Sequence, residues 1–299
     1  MKKHAVLIAV FLSGSLLLTS CGGDNTEEKE AGNNSNEGTD NQDPDDSSDD
    51  MEDEFEDESD DVEFIMPSPL QVADLLNSSG LKWTDGVTNP VDNLGQYTTE
   101  FKKSLNFGVY SMDLAYAVIN DKTSESEKYL QAVRELAIET GLDEIFNSED
   151  LVNKLEQNLG NKEEFMPLLV EIQERTDMVL DEKDAKHKTV IHFAGAWIEG
   201  MYIGTKTADS KDNTKLGMAV VNQMVILENI IKGLNSYPEQ SEEIKTLAAD
   251  LQGMLDAYYG LESVKEIENS EFLDPTLTNE ELEKLSGMIE SLRQKTVTI

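Results

Sequence analysis

Residues 189–204 read TVIHFAGAWIEGMYIG, and on a helical wheel their apolar side chains point in every direction, interrupted only by His192 and Glu199. A helix apolar all round is a buried one. At about 100° per residue, Ala196, Gly200 and Gly204 fall on one narrow strip, four residues apart, where a neighbouring helix can approach backbone to backbone. The run is roughly 16 residues long with a carboxylate inside it, short of the about 20 apolar residues that span a membrane. It predicts the central post of a helical bundle at the core of a soluble domain.

On either side the chain is punctuated as helices. To the N-terminal side, Ser68-Pro69 opens a short helix that Gly80 stops, and Thr98 or Thr99 caps a long one running to about Asn120. Within that long helix Phe101, Leu105, Gly108, Met112, Ala115 and Ile119 alternate spacings of four and three, a core-facing stripe. Past Phe107 its other faces turn apolar as well, leaving Asp113 as its one charge between Lys103 and Asp121. Ser124 or Ser126 caps the next helix, Ser148 the one after, and Asn161 with Glu164 reads as a capping box whose helix contains Pro167. Pro167 is compatible with a kink or with a later start at that residue.

To the C-terminal side, LGMAVVNQMVILENIIKG at 216–233 is again apolar on most faces. Ser241 caps a helix stopped at Gly260, and Thr278 with Glu281 is a second capping box for a C-terminal helix presenting Leu282, Leu285, Ile289 and Leu292. Strand signals are sparse, and the Asp85-Gly86 pair sits in a polar loop. The expectation is an all-α fold, one bundle of eight or nine helices over residues 64–299, with three apolar helices inside and amphipathic ones around them.

The first 63 residues are different material. Lys2 and Lys3 precede an apolar run from Ala5 to Leu18, which reads as a secretory signal peptide over residues 1–20. Residues 22–63 carry 20 Asp or Glu against one Lys, with Gly, Asn and Ser between them. Such a composition cannot bury enough surface to offset its ordering entropy, so residues 21–63 are expected to be a disordered tether. About 42 residues of coil span roughly 35 Å, more with charge repulsion. Its acidic runs lack the sixth-position Gly and closing Glu of a calcium loop.

Of the chain's 61 acidic and 24 Lys or Arg residues, 41 and 21 fall in residues 64–299, about −20 on the domain itself. Charge of that sign repels nucleic acid and anionic lipid headgroups, which excludes DNA or RNA as a partner. A single cysteine excludes an internal disulfide or a multi-cysteine metal site.

That cysteine ends the sequence Leu18-Thr19-Ser20-Cys21, which resembles the lipobox of bacterial lipoproteins. The resemblance implies cleavage before Cys21 and lipidation of that residue, anchoring the chain without a spanning helix. Gly22 at the next position resembles an outer-membrane address, and the acidic tether resembles the surface-export signals of Bacteroidota lipoproteins, although only Asp24 lies very close to Cys21. Periplasmic face and cell surface both stay open. NFGVYSMDLAYA at 106–117 and GAWIEGMYIGT at 195–205, behind that lipobox, resemble a family of all-helical lipoproteins of unassigned activity found in the Bacteroidota. The resemblance implies fold and address, and no activity.

The chemistry-bearing residues expected in the interior are Asp113, His192 and Glu199. His192 and Glu199 share a helix face to within about 20° and lie roughly 10 Å apart along it, suited to gripping one group between them, with room at Gly195 and Ala196. A desolvated Glu199 would have a raised pKa and could donate a proton near neutrality. The bland alternative is a satisfied polar network that fixes helix register. A carboxylate-bridged di-iron site needs two Glu-x-x-His pairs, and this chain offers one Asp184-Ala185-Lys186-His187, so neither metal nor other cofactor is expected. No Gly-x-Ser-x-Gly elbow, phosphate loop or dinucleotide fingerprint occurs. The leading expectation is a non-enzymatic, lipid-anchored binding or scaffold module with an envelope protein partner. The alternative is a small-ligand binder or enzyme built on Asp113, His192 and Glu199.

Overall fold

The structure, a computed structural model, describes residues 82–207, 213–236, 240–267 and 275–298. The signal peptide, Cys21, the acidic tether and the helix expected from Ser68 to Gly80 lie outside the described residues. Within them the fold is all-α. The elements are α1 (Glu100–Ile119), α2 (Thr123–Glu139), α3 (Glu149–Asn158), α4 (Lys162–Glu182), α5 (His187–Thr207), α6 (Asn213–Asn235), α7 (Glu242–Tyr259), a single turn α8 (Glu262–Lys265) and α9 (Asn279–Val297), with 3₁₀ turns at Val91–Gln96 and Asp143–Phe146.

Five helices start where a side-chain oxygen takes up an orphaned backbone N–H. Thr99, Ser148, Asn161, Ser241 and Thr278 each accept from the N–H three residues on, and only the Thr278–Glu281 pair closes the reciprocal box. The expected cap of α2 is a correction. That helix begins at Thr123 with no side-chain cap, and Ser126, inside its first turn, donates its hydroxyl to the Lys122 carbonyl instead. Pro167 is carried inside α4, which starts at Lys162.

The interior holds two apolar clusters, and α1 faces both. Leu105, Met112, Ala115 and Tyr116 pack with α5, α6, α7 and α9, while Phe107, Tyr110, Leu114 and Val118 pack with α2, α3 and α4. The wall between the two cores is therefore α1, whereas α5, expected as the post, is buried within the first core. Contacts between α1 and α5 advance together along both helices, from Glu100–Lys188 through Leu105–Gly195 to Asp113–Glu199, so the two run parallel.

Glycine sets their closeness. A Cβ on Gly108 would lie 1.8 Å from the His192 carbonyl oxygen, and one on Gly195 would lie 1.9 Å from that of Leu105. The close approach expected along α5 is seen at Gly195, one residue from the predicted strip, with Ala196 N against Gly108. α6 returns antiparallel to α5, its Gly233 seated on Val190, and α9 crosses back over α1 and α5.

Ahead of α1, residues 82–99 form a strap laid across the bundle. Val87, Thr88, Asn89 and Tyr97 in it are buried. Its main chain is held by side chains of α1: Tyr116 Oη donates to the Lys82 carbonyl at 2.6 Å and accepts from Thr84 N at 3.0 Å, and Tyr110 Oη donates to the Pro90 carbonyl at 2.8 Å.

Candidate functional site

Asp113 on α1 and Glu199 on α5 are both fully buried, and the parallel packing of their helices brings the two carboxyls close enough to shift one another's protonation. A third residue completes the cluster. Arg293 of α9 forks onto Glu199, Nε to Oε2 at 3.0 Å and Nη2 to Oε1 at 3.2 Å, and its Nη2 also reaches the Val87 carbonyl of the strap at 3.5 Å. The guanidinium lies over the Tyr202 ring, 4.6 Å from its centroid. From the strap, Asn89 N donates to Asp113 Oδ2 at 3.1 Å.

Two carboxyls and one cation decide the charge state. Burial, then the neighbouring Glu199, push Asp113 well above the usual carboxylate range. Burial raises Glu199 as well, against the pull of Arg293. Arg293 is paired with Glu199 and favours its ionised form, whereas no cation is paired with Asp113, so burial holds the Asp113 carboxyl toward the neutral form.

Tyrosines surround this cluster. Asn89 Nδ2 donates to Tyr97 Oη at 2.9 Å, Tyr129 Oη donates to Thr88 Oγ1 at 2.7 Å, and the Tyr110 ring lies between those of Tyr97 and Tyr129. Burial raises the pKa of all three phenols, so they stay neutral donors.

His192 does not join Asp113 and Glu199. Its ring packs on Phe107 with centroids 4.8 Å apart, and both ring nitrogens are buried without a hydrogen-bond partner. Burial drives its pKa down to about 3, so the imidazole is neutral. The room expected between His192 and Glu199 is filled, because at Gly195 the main chain of α1 occupies the place where a side chain would stand. Trp197 Nε1 and the Gln223 amide are likewise buried without partners in the first core.

The roles of Arg293, Asn89 and Tyr97 at this cluster went unread in the sequence. One signal for Arg293 exists: it stands four residues after Ile289 and one after Leu292, at the edge of the buried stripe of α9. Two shallow surface grooves, about 240 Å³ between α7 and α9 and about 410 Å³ between α2 and the α3–α4 junction, are lined by neither Asp113, His192 nor Glu199. Among the described residues no group of three His, Cys, Asp or Glu is placed to hold a metal, and no helix is long and apolar enough to cross a membrane. No family model matches the chain, and no curated protein or solved structure matches it.

Proposed function

We propose that the chain is a cell-envelope lipoprotein, anchored through lipid on Cys21 to the outer membrane, whose helical domain is a non-enzymatic binding or scaffold module. The observation that carries the address is the lipobox ending at Cys21 behind a signal peptide. Supporting the non-enzymatic reading, the buried Glu199 and Arg293 are spent on each other, and Asp113 and Arg293 also hold the strap backbone. Membership of the Bacteroidota lipoprotein family, resembled through 106–117 and 195–205, belongs to the same proposal. So does an envelope protein partner.

The test of the anchor is metabolic labelling with a fatty acid together with fractionation of the envelope. Label on the wild type, absent from Cys21→Ser, with the variant released from the membrane, is the expected result. Unlabelled wild-type protein, or a Cys21→Ser variant that stays membrane-bound, overturns it.

A second reading, a small-ligand binder, has one observation in its favour: the two unpartnered ring nitrogens of the buried His192. A ligand at 100 times its dissociation constant adds about 2.7 kcal/mol of stability. A thermal-shift screen of metabolites, divalent metals, sugars and peptidoglycan fragments that gave a shift abolished by His192→Phe would establish this reading, and a flat screen removes it.

A further inference from the structure

We propose that residues 68–80 form a helix that packs parallel to α5 along Phe193, Trp197, Gly200 and Gly204, supplying the fourth side of that helix and the first element of the folded domain.

Three sides of α5 are taken. α1 lies on His192, Gly195 and Ala196, α9 on Glu199 and Lys206, and α6 on Val190. At about 100° per residue, Phe193, Trp197, Gly200 and Gly204 share a wedge of about 60° between the α1 side and the α6 side. All four are buried, and α4 borders the wedge with Met166 and Leu169, half-buried against the same core. Two buried polar groups stand there without partners, Trp197 Nε1 and the amide of Gln223. Gln223 stands ten residues before Gly233 as Gly200 stands ten after Val190, so across the antiparallel α5–α6 pair it is level with Gly200.

The chain that precedes the strap fits this wedge in position, length and chemistry. Lys82 is fixed by its carbonyl on Tyr116 Oη at 2.6 Å. Tyr116 stands 16 residues after Glu100 and Gly204 stands 16 after Lys188, so in the parallel α1–α5 register Tyr116 is level with Gly204. Gly80, two residues before Lys82, is therefore held within about 7 Å of it. Pro69 and Gly80 are 11 residues apart, as are Phe193 and Gly204, so a helix over that span rises about 16 Å and covers the wedge from end to end. In that register Leu76 comes opposite Gly200, a large side chain over bare backbone. Val72, Ala73, Leu75 and Leu76 share one side of the helix, and Gln71, Asp74 and Ser78 the other. Residues 64–81 carry one acid and no base, against the 20 acids of residues 22–63, a composition suited to a buried contact.

A helix of about 11 residues does not persist alone in water, so protection of its amides reports docking. Hydrogen–deuterium exchange of the full chain should show amides 73–79 protected more than about tenfold. Leu76→Asp should abolish that protection while the Leu251 and Leu255 amides of α7 stay protected. The place of docking is read at Trp197. In a Trp83→Phe background it is the only tryptophan, and Leu76→Asp should shift its emission to the red and increase its quenching by acrylamide. Asp74→Ala, on the outer side, should change neither. Leu76→Ala, the milder truncation, should move the same readouts in the same direction by less. Amides 73–79 that exchange at the rates of unstructured chain overturn the proposal. So does a Trp197 emission that stays unchanged in Leu76→Asp and Leu76→Ala while the protection of 73–79 is lost.

Discussion

Gly108 and His192 meet backbone to backbone, with the place of a Gly108 Cβ only 1.8 Å from the His192 carbonyl oxygen. Gly195 makes the mirrored contact on Leu105, so each helix offers a glycine to the other's main chain. Neither neighbour is a side chain that can rotate away. Gly108→Ala and Gly195→Ala should each cost about 3 kcal/mol or more, or prevent folding. Gly253 in α7 has nothing within 4 Å of its would-be Cβ, and there Gly253→Ala should gain about 0.5–1 kcal/mol from helix propensity. Urea unfolding of the three variants checks both signs, and equal effects at Gly195 and Gly253 would refute the close-packing argument.

Removing one side of the Glu199–Arg293 fork leaves the other side buried and unpaired. Arg293→Met and Glu199→Gln should each lose about 3–5 kcal/mol. Asp113→Asn, which keeps the acceptor for Asn89 N and stays neutral, should stay within about 1 kcal/mol of wild type. Chemical denaturation of the three variants at pH 7 distinguishes a neutral Asp113 from an ionised one: a loss at Asp113→Asn as large as that at Glu199→Gln would mean two buried carboxylates.

At the start of α9, Glu281 accepts from Ser263 N at 3.1 Å, Ser263 Oγ at 2.6 Å and Thr278 N at 2.8 Å, so one carboxylate caps its own helix and ties α8 to it. Burial is the largest single influence and works against the charge, but these donors together outweigh it and pull the pKa down to about 2. Glu281→Ala should cost about 1–2 kcal/mol. Glu281→Gln retains acceptor capacity and should cost less. A calorimetric melting series on the two variants checks the order.

The helix starts were legible because they are local. A Thr, Ser or Asn that satisfies the N–H three residues on announces itself within four residues, and five of the expected caps stand where the side-chain pattern puts them. The α2 start was not, since Thr123, Ser124 and Ser126 compete within one turn and Ser126 spends its hydroxyl on the carbonyl of Lys122. Burial of Asp113 and Glu199 could be read from the apolar runs around them. Their meeting could not, because it depends on α1 and α5 running parallel across the intervening α2, α3 and α4. Arg293, 94 residues from Glu199, is one charge among many on an amphipathic helix until that helix is docked.

Two buried groups make opposite demands on pH. His192 is neutral in the folded state with its pKa lowered to about 3 by burial, so below about 6.5 the unfolded chain binds a proton that the native chain does not. Its contribution to stability is present above about 6.5 and is lost as pH falls toward about 3, at about 1.4 kcal/mol per pH unit. Asp113 is raised, so above the ordinary carboxylate range the native chain holds a proton that the unfolded chain has released. Its contribution is present in acid and is lost as pH rises, at the same about 1.4 kcal/mol per unit. Where both groups titrate, the two slopes oppose each other. Glu199, raised like Asp113, acts in the same sense as Asp113, and the lowered His187 and the raised Asp177 add slopes of the same opposing signs, all three shifted first by burial. The wild-type curve should thus be flatter than that of either variant below. His192→Phe should make stability rise as pH falls from about 6.5 to 4.5, and Asp113→Asn should make it fall. Urea midpoints of the three proteins at half-unit pH steps read these slopes directly, and parallel curves for the two variants would show that neither group titrates as its burial demands.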